Sequence, residues 1–304
     1  MLVGLLTAWL LVAPAGPQVF TDVLGHRVEW QTPPRRIVSL SPNLTEILFA
    51  IGCDTTQVVG VTRFCNYPPA ASKVARVGGI VDPSLEAIVV LRPDLALATR
   101  GNPLEFIESL IQLGTPVYAL EDRGGLEQIF RMIDQLGRVT GHTGEADSLV
   151  HRLQARVSAV TGRTAAIPSD ARPRVYFGEL EGALWTAGPG SYIHDLIRAA
   201  GGENIAAGAP SAWCALSLEA IVTRDPQVYL GTFVGDDTAE RRREAEESAR
   251  RLLTTREGWR DTHLGREPRI FVVHEDRLQR PGPRVIDVMD EFARFLHPQA
   301  WEGR

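Results

Sequence analysis

Residue types that do chemistry are present in this chain, but not in the spacings that chemistry requires. Among the histidines His26, His142, His151, His194, His263, His274 and His297, no two stand four apart around a glutamate, the helical pattern of a zinc hydrolase. Cys53, Cys65 and Cys214 form no C-x-x-C pair of the kind that holds zinc. No G-x-S-x-G nucleophile elbow occurs. Gly188-Pro189-Gly190 stands ahead of a helical pattern, where free backbone N–H groups can cradle a phosphate. No G-K-[ST] follows it, however, and the dinucleotide fingerprint is incomplete. No pair of acids is placed for acid–base work. The chain therefore reads as a non-enzyme with no catalytic residues, no metal ligands and no resident cofactor.

Two other features carry information. The first is a repeat: Ser84-Leu85-Glu86-Ala87-Ile88-Val89 recurs as Ser217-Leu218-Glu219-Ala220-Ile221-Val222, and Pro93 recurs as Pro226, at the same offset of 133 positions. Each copy reads as a helix that stops before a proline and feeds a strand, with Asp82-Pro83 as N-cap and first-turn proline of the first copy. Leu85, Ile88 and Val89 fall on one face, and Glu86 on the other. Leu218, Ile221, Val222 and Glu219 repeat that arrangement. The second feature is aromatic. Phe64 and Tyr67 stand in one Pro-rich loop, and Trp185 and Trp213 in Gly- and Pro-rich context much later. Two lobes facing each other with aromatic loops describe a cleft for a large, flat, partly apolar ligand.

The elements that must position these residues alternate strand and helix, the grammar of parallel sheets. A hairpin at Val19 to Trp30, turning at Leu24-Gly25-His26, comes first. Strands follow at Ile37 to Leu40, Val58 to Val61, Leu95 to Ala98 and Val117 to Leu120, with helices between them. Asn43 and Glu46 read as a capping box for a helix over Leu44 to Ile51. Gly144 to Thr164 is a long helical pattern striped by Leu149, Leu153 and Val157, and serves as a rigid connector. Arg174-Val175-Tyr176-Phe177 then opens a second lobe much as Arg36-Ile37-Val38-Ser39 opens the first. Ala239 to Leu253 mixes both charges and reads as a solvated helix. The fold class is α/β, two Rossmann-like lobes joined by one long helix. The expected divisions are residues 1–15, 16–141, 142–166 and 167–304.

A length of 304 residues accommodates two such cores, and 44% apolar with 23% charged residues is a globular composition. A net charge of −5, with Lys73 the sole lysine and scattered arginines, excludes a nucleic-acid partner. Leu2 to Val12 is an apolar run followed by Ala13-Pro14-Ala15-Gly16, which reads as a secretory signal cut near Ala15. No cysteine follows to carry a lipid anchor. In an oxidising compartment three cysteines allow one bridge and one free thiol.

Pro34-Arg35-Arg36-Ile37-Val38-Ser39-Leu40-Ser41-Pro42 with Thr45-Glu46, Asn66-Tyr67-Pro68-Pro69, Ser84-Leu85-Glu86, Gly201-Gly202-Glu203-Asn204-Ile205 and Arg280-Pro281-Gly282-Pro283-Arg284 together carry a resemblance. The chain resembles the periplasmic substrate-binding proteins of ABC importers for vitamin B12, haem and iron-siderophores, and most of all the vitamin B12 branch. The resemblance implies a monomeric periplasmic protein that delivers a corrinoid, cobalamin or cobinamide, to a permease dimer with its cytoplasmic ATPase. Carried over by position, the ligand pocket comprises Phe64, Tyr67, Ile80, Trp185, Trp213, Asp276 and Arg280. Ile80 departs from the pattern, because a tryptophan is expected there. Glu86 and Glu219 take the places of the acidic residues that dock onto the permease. The alternative ligand is haem or a ferric siderophore, for which Tyr67 or Tyr192 is the candidate axial ligand. Cys65 and Cys214 each adjoin a pocket aromatic. A bridge between them, a Cys53–Cys65 bridge or a free thiol are the open readings.

Overall fold

Short β-branched and aliphatic runs, each closed by a turn or a helix, build two all-parallel sheets in the computed structural model, which describes residues 17–302. The leader and cleavage signal read at residues 1–15 lie outside the described residues. The first lobe begins with the antiparallel hairpin of β1 (Gln18–Thr21) and β2 (Arg27–Trp30). It continues through β3 (Ile37–Ser39), α1 (Pro42–Ala50), β4 (Val58–Val61), β5 (Ala75–Arg76), α2 (Leu85–Val90), β6 (Leu95–Thr99), α3 (Leu104–Gln112), β7 (Val117–Leu120) and α4 (Leu126–Thr140). Its sheet runs β5-β4-β3-β6-β7.

Helix α5 (Thr143–Thr164) then leads to β8 (Arg174–Phe177), β9 (Trp185–Ala187), α6 (Tyr192–Ala199), β10 (Glu203–Asn204), β11 (Trp213–Ala215) and α7 (Leu218–Arg224). The second lobe is completed by β12 (Val228–Phe233), α8 (Ala239–Thr255), α9 (His263–Arg266), β13 (Ile270–His274), α10 (Glu275–Leu278) and α11 (Arg284–Leu296). Its parallel sheet runs β10-β8-β12-β13, with β9 and β11 paired separately as an antiparallel ribbon. In both sheets the strand order reverses beside the first strand, between β3 and β6 and between β8 and β12. Such reversal points leave a crevice at the carboxyl ends of the strands.

The repeat is a repeat of structure in detail. Ser84, not Asp82, is the N-cap of α2, its Oγ accepting from the Ala87 N–H at 3.2 Å, and Ser217 caps α7 through Ala220 N–H at 3.1 Å. A side-chain oxygen two bonds from the backbone reaches the first-turn N–H, which leaves Asp82 free to pair with Arg63. Each helix ends at a residue with positive φ just before proline, Arg92 at 47° and Asp225 at 45°. The proline disfavours the helical region for its predecessor, and the left-handed turn ends the helix at once. Arg36 then donates to the carbonyls of Leu91 and Arg92, and Arg174 donates to those of Arg224 and Asp225. Asp94 accepts from the Arg36 N–H, and at the same offset Gln227 accepts from the Arg174 N–H. These helices are too short to bury a whole stripe. Ile88 and Ile221 are buried, whereas Val89, expected in the core, is 41% exposed.

One expectation about α1 is corrected. Helix α1 starts at Pro42 with Ser41 as a cap that makes no side-chain cap bond, so there is no Asn43–Glu46 capping box. Glu46 is 3% exposed and engaged by arginines of the other lobe, which offer a charge-assisted partner in place of a backbone N–H. Helix α5 connects the lobes along the chain and buries Leu149 and Leu153, as the pattern implies, and other long helices pack beside it. Ile133 and Leu136 of α4, Leu153 of α5, Leu196 of α6 and Phe292 of α11 belong to one apolar cluster that runs through both lobes. The Leu126 N–H also donates to Asp195 of α6 at 3.0 Å. The lobes are thus joined by several long helices sharing a core. Helix α8 buries only Ala249 and Leu253, as its mixed charge implies.

Candidate functional site

Each sheet's reversal point opens into a depression. The one in the first lobe, about 330 Å³, is lined by Ser41 after β3, Thr99 at the end of β6, Phe64, Ile80, Asp122 and Gln279. The one in the second lobe, about 260 Å³, is lined by Phe177 at the end of β8, Glu179 after it, Thr232 in β12, Trp185, Trp213 and again Gln279. Because Gln279 borders both, they are two ends of one cleft between the lobes. Gln279 is held in place by donating to Thr232 Oγ1 at 2.9 Å.

The aromatics expected to wall this cleft are not core residues. Phe64, Trp185 and Trp213 are 45%, 51% and 44% exposed. Trp185 and Trp213 are not in loops, as the sequence had indicated, but in the β9–β11 ribbon. Trp213 pairs with Ala187, and Trp185 with Ala215. Side chains alternate along a strand, so both indoles project from the same face of the ribbon, while Cys214 and Thr186 point the other way. Phe177 meets the Trp213 ring edge-on at 6.4 Å between centroids. Across the cleft the Arg63 guanidinium lies 4.8 Å from the Phe64 ring centroid, anchored by a paired bond to Asp82.

Ile80 is half-buried at the rim, and its backbone is fixed by a residue the sequence did not single out. Asn102, buried, donates to the carbonyls of Ile80 and Leu40 and accepts from the Thr99 N–H at 2.9 Å. One amide therefore ties together three of the segments that shape the first depression.

Arg280 lines the first depression and Asp276 lines neither, and both are largely turned toward other protein groups. The Arg280 guanidinium contacts Asp276 at 2.5 Å and Glu46 at 3.2 Å, and donates to Asn66 Oδ1 at 2.8 Å and to the Phe64 carbonyl at 3.0 Å. Asn66 in turn donates to Asp276 Oδ2 at 2.8 Å. Arg284 donates to both oxygens of Glu46 and to the Asp276 carbonyl. The result is a polar seam across the lobes, with Glu46 at its centre. Burial raises the Glu46 carboxyl above its ordinary value, against the opposing pull of Arg284 and Arg280.

Tyr67 lines neither depression, because its ring lies under the Arg284 guanidinium at 4.3 Å. Tyr192 is buried, and burial pushes its phenol above the ordinary range. The three cysteines are free. Cys65, fully buried, has its Sγ 3.1 Å from the hydroxyls of Thr45 and Thr62. Glu86 and Glu219 are exposed in the first turns of α2 and α7, where the helix dipole favours a carboxylate. Asp122, Glu179 and Gln279 were also not anticipated. The first two follow strands β7 and β8, so their place at carboxyl ends in an α/β sheet was the available signal.

The Periplasmic binding protein family matches residues 37–276, most of the chain. A cobalamin-binding protein of Halobacterium salinarum is 32% identical over 92% of this chain and 74% of its own length. An uncharacterized ABC transporter substrate-binding lipoprotein, YvrC of Bacillus subtilis, is 25% identical over 94% of this chain and 87% of its own. Among solved structures, the apo form of the periplasmic heme-binding protein RhuT from Roseiflexus sp. RS-1 superposes with a TM-score of 0.73 at 27% identity, covering 88% of this chain and 99% of that one. With its two parallel-sheet lobes, its shared helices and its cleft at the sheet reversal points, the chain belongs to the periplasmic binding protein family, as a non-catalytic component of transport that works in the periplasm.

Proposed function

We propose that this protein captures a corrinoid, cobalamin or cobinamide, in the inter-lobe cleft and delivers it to an ABC permease dimer with its ATPase. At the coarser level it is the binding component of an importer for a metal chelate, a class that includes corrinoids, haem and siderophores. The observation that carries the finer reading is the pair of aromatic walls. Phe64 on one lobe and Trp185 with Trp213 on the other stand exposed on opposite sides of a cleft whose reversal points are the usual ligand sites of such sheets. Large rings that are this open in the free protein gain most by being covered with a flat ligand. The likeness to a cobalamin-binding protein over most of the chain supports the same choice.

In this reading Phe64, Ile80, Trp185 and Trp213 make the apolar contacts, while Asp276 and Arg280 meet polar groups of the ligand at the floor. Tyr67 serves indirectly, by bracing Arg284. Haem is the second reading, favoured by the likeness to a heme-binding protein. Against it, Tyr67 and Tyr192, the two candidate axial ligands, lie under Arg284 and in the core. Titration with dicyanocobinamide and with cyanocobalamin, followed by tryptophan fluorescence and thermal shift, tests the proposal. Micromolar corrinoid should quench the emission and raise the melting temperature. Absence of both effects, together with a Soret band on haem addition, would transfer the assignment to haem.

A further inference from the structure

We infer that Asp122 and Glu179 select among metal chelates, favouring one whose edge presents neutral amide donors and opposing one whose edge presents carboxylates. The inference rests on the corrinoid reading above and deepens it. It starts from a charge imbalance in the cleft. The two guanidiniums at the floor are already occupied: Arg280 by Asp276 and Glu46, and Arg284 by Glu46. Arg63 is paired with Asp82 and Arg100 with Glu121. Asp122 and Glu179 line the first and second depressions, and among the described residues neither has an ion-pair partner. Each end of the cleft therefore shows one uncompensated carboxylate, on opposite lobes.

Asp122 and Glu179 follow strands β7 and β8 and line the two depressions beside the aromatic residues. The aromatic walls take the flat faces, and Asp122 and Glu179 stand beside them at the strand ends, where the perimeter of a macrocycle would come to rest. A corrin ring carries acetamide and propionamide arms on its perimeter, and their N–H groups donate to a carboxylate in charge-assisted hydrogen bonds. A haem carries two propionates, and a ferric catecholate is anionic as a whole. Pressing either against an unpaired carboxylate in a partly desolvated cleft is repulsive, which is how a site rejects the wrong partner. Desolvation raises the Asp122 carboxyl, and its neighbours Glu121 and Arg123 act on it in opposite directions. Arg123, next in sequence, and the Thr99 hydroxyl favour the charged form of Asp122, but among the described residues no cation forms an ion pair with it.

The wild-type protein can test this without any substitution. Cobyrinic acid has the same ring with carboxylates in place of the amides. It should bind at least about 100-fold more weakly than dicyanocobinamide, the span of two lost charge-assisted hydrogen bonds. A second arm uses the Asp122→Asn, Glu179→Gln double variant. It should lose about tenfold or more in cobinamide affinity and narrow the gap between the two corrinoids. Equal affinity of the wild type for cobyrinic acid and cobinamide would overturn the selection by charge while leaving corrinoid binding intact. So would a double variant with the wild-type ratio. A wild-type protein that binds haemin and neither corrinoid would overturn the inference together with the reading beneath it.

Discussion

Glu46 and Arg284 meet across the boundary between the lobes, Arg284 Nε donating to Glu46 Oε2 at 2.8 Å and its Nη2 reaching the other carboxylate oxygen. Both side chains are largely withdrawn from solvent, 2% and 15% exposed. The same carboxylate also takes Arg280, so one buried acid holds two cations from the opposite lobe.

Removing that acid leaves Arg284 without a carboxylate partner and Arg280 with Asp276 as its only one. A Glu46→Ala variant should lose about 3–5 kcal/mol of stability, the usual cost of breaking a buried pair from one side. Urea unfolding of Glu46→Ala, Arg284→Ala and the double variant gives the coupling directly. A coupling on the order of 1–3 kcal/mol is expected, and strict additivity would mean that the pair is not acting as a pair.

Glu86 and Glu219 test the docking proposal. Replacing both with lysine should reduce transport in cells while the affinity of the purified protein for its ligand stays unchanged, because both side chains are exposed on helices α2 and α7 and neither lines the cleft. Complementary charges at a contact fix orientation and speed encounter, so each single reversal should show a partial effect that grows weaker at high salt. Wild-type uptake by the double variant would remove the docking role.

Close approach of the long helices hangs on one glycine. A Cβ added at Gly137 of α4 would stand 2.3 Å from the Ala146 Cβ of α5. Gly137→Ala should therefore cost about 1–3 kcal/mol through overpacking. The exchange Gly137→Ala with Ala146→Gly should recover part of it in thermal melts. Failure to recover would place the strain elsewhere, for instance against the nearby backbone of His142.

Alkaline stability should decline from about pH 9. Burial pushes the Cys53 thiol up to about 12 from 9.0, so in that window the unfolded chain loses a proton that the folded chain keeps. The unfolded state then binds fewer protons than the folded one, and stability falls as pH rises. Tyr176, Tyr192 and Tyr229, whose phenols burial also raises, add to the loss above pH 10, where they ionise in the unfolded chain. Melting temperatures across pH 8–10 should fall less steeply for Cys53→Ala than for the wild type. An unchanged slope would exclude the thiol as the source.

The alternation of strands and helices and the two equivalent lobes are legible along the chain, as are the aromatics offered for the cleft. These follow from local rules: hydrophobic period, caps, prolines, and a repeat whose offset extends even to Asp94 and Gln227. The partners of the polar groups, by contrast, come from packing of the lobes. Glu46 reads locally as half of a capping box, because the spacing from Asn43 is right. Its actual partners, Arg280 and Arg284, lie more than two hundred residues away in sequence and reach it only when the lobes are packed. The resemblance assigns Asp276 and Arg280 to the ligand, and spacing alone gives no sign that both engage Asn66, or that Arg280 also engages the Phe64 carbonyl. Nor could spacing reveal that Trp185 and Trp213 share a face, since that depends on the register of a two-stranded ribbon. Local patterns are set by forces along the chain. Charge pairing across a cleft is set by which strand ends the folded sheets bring together.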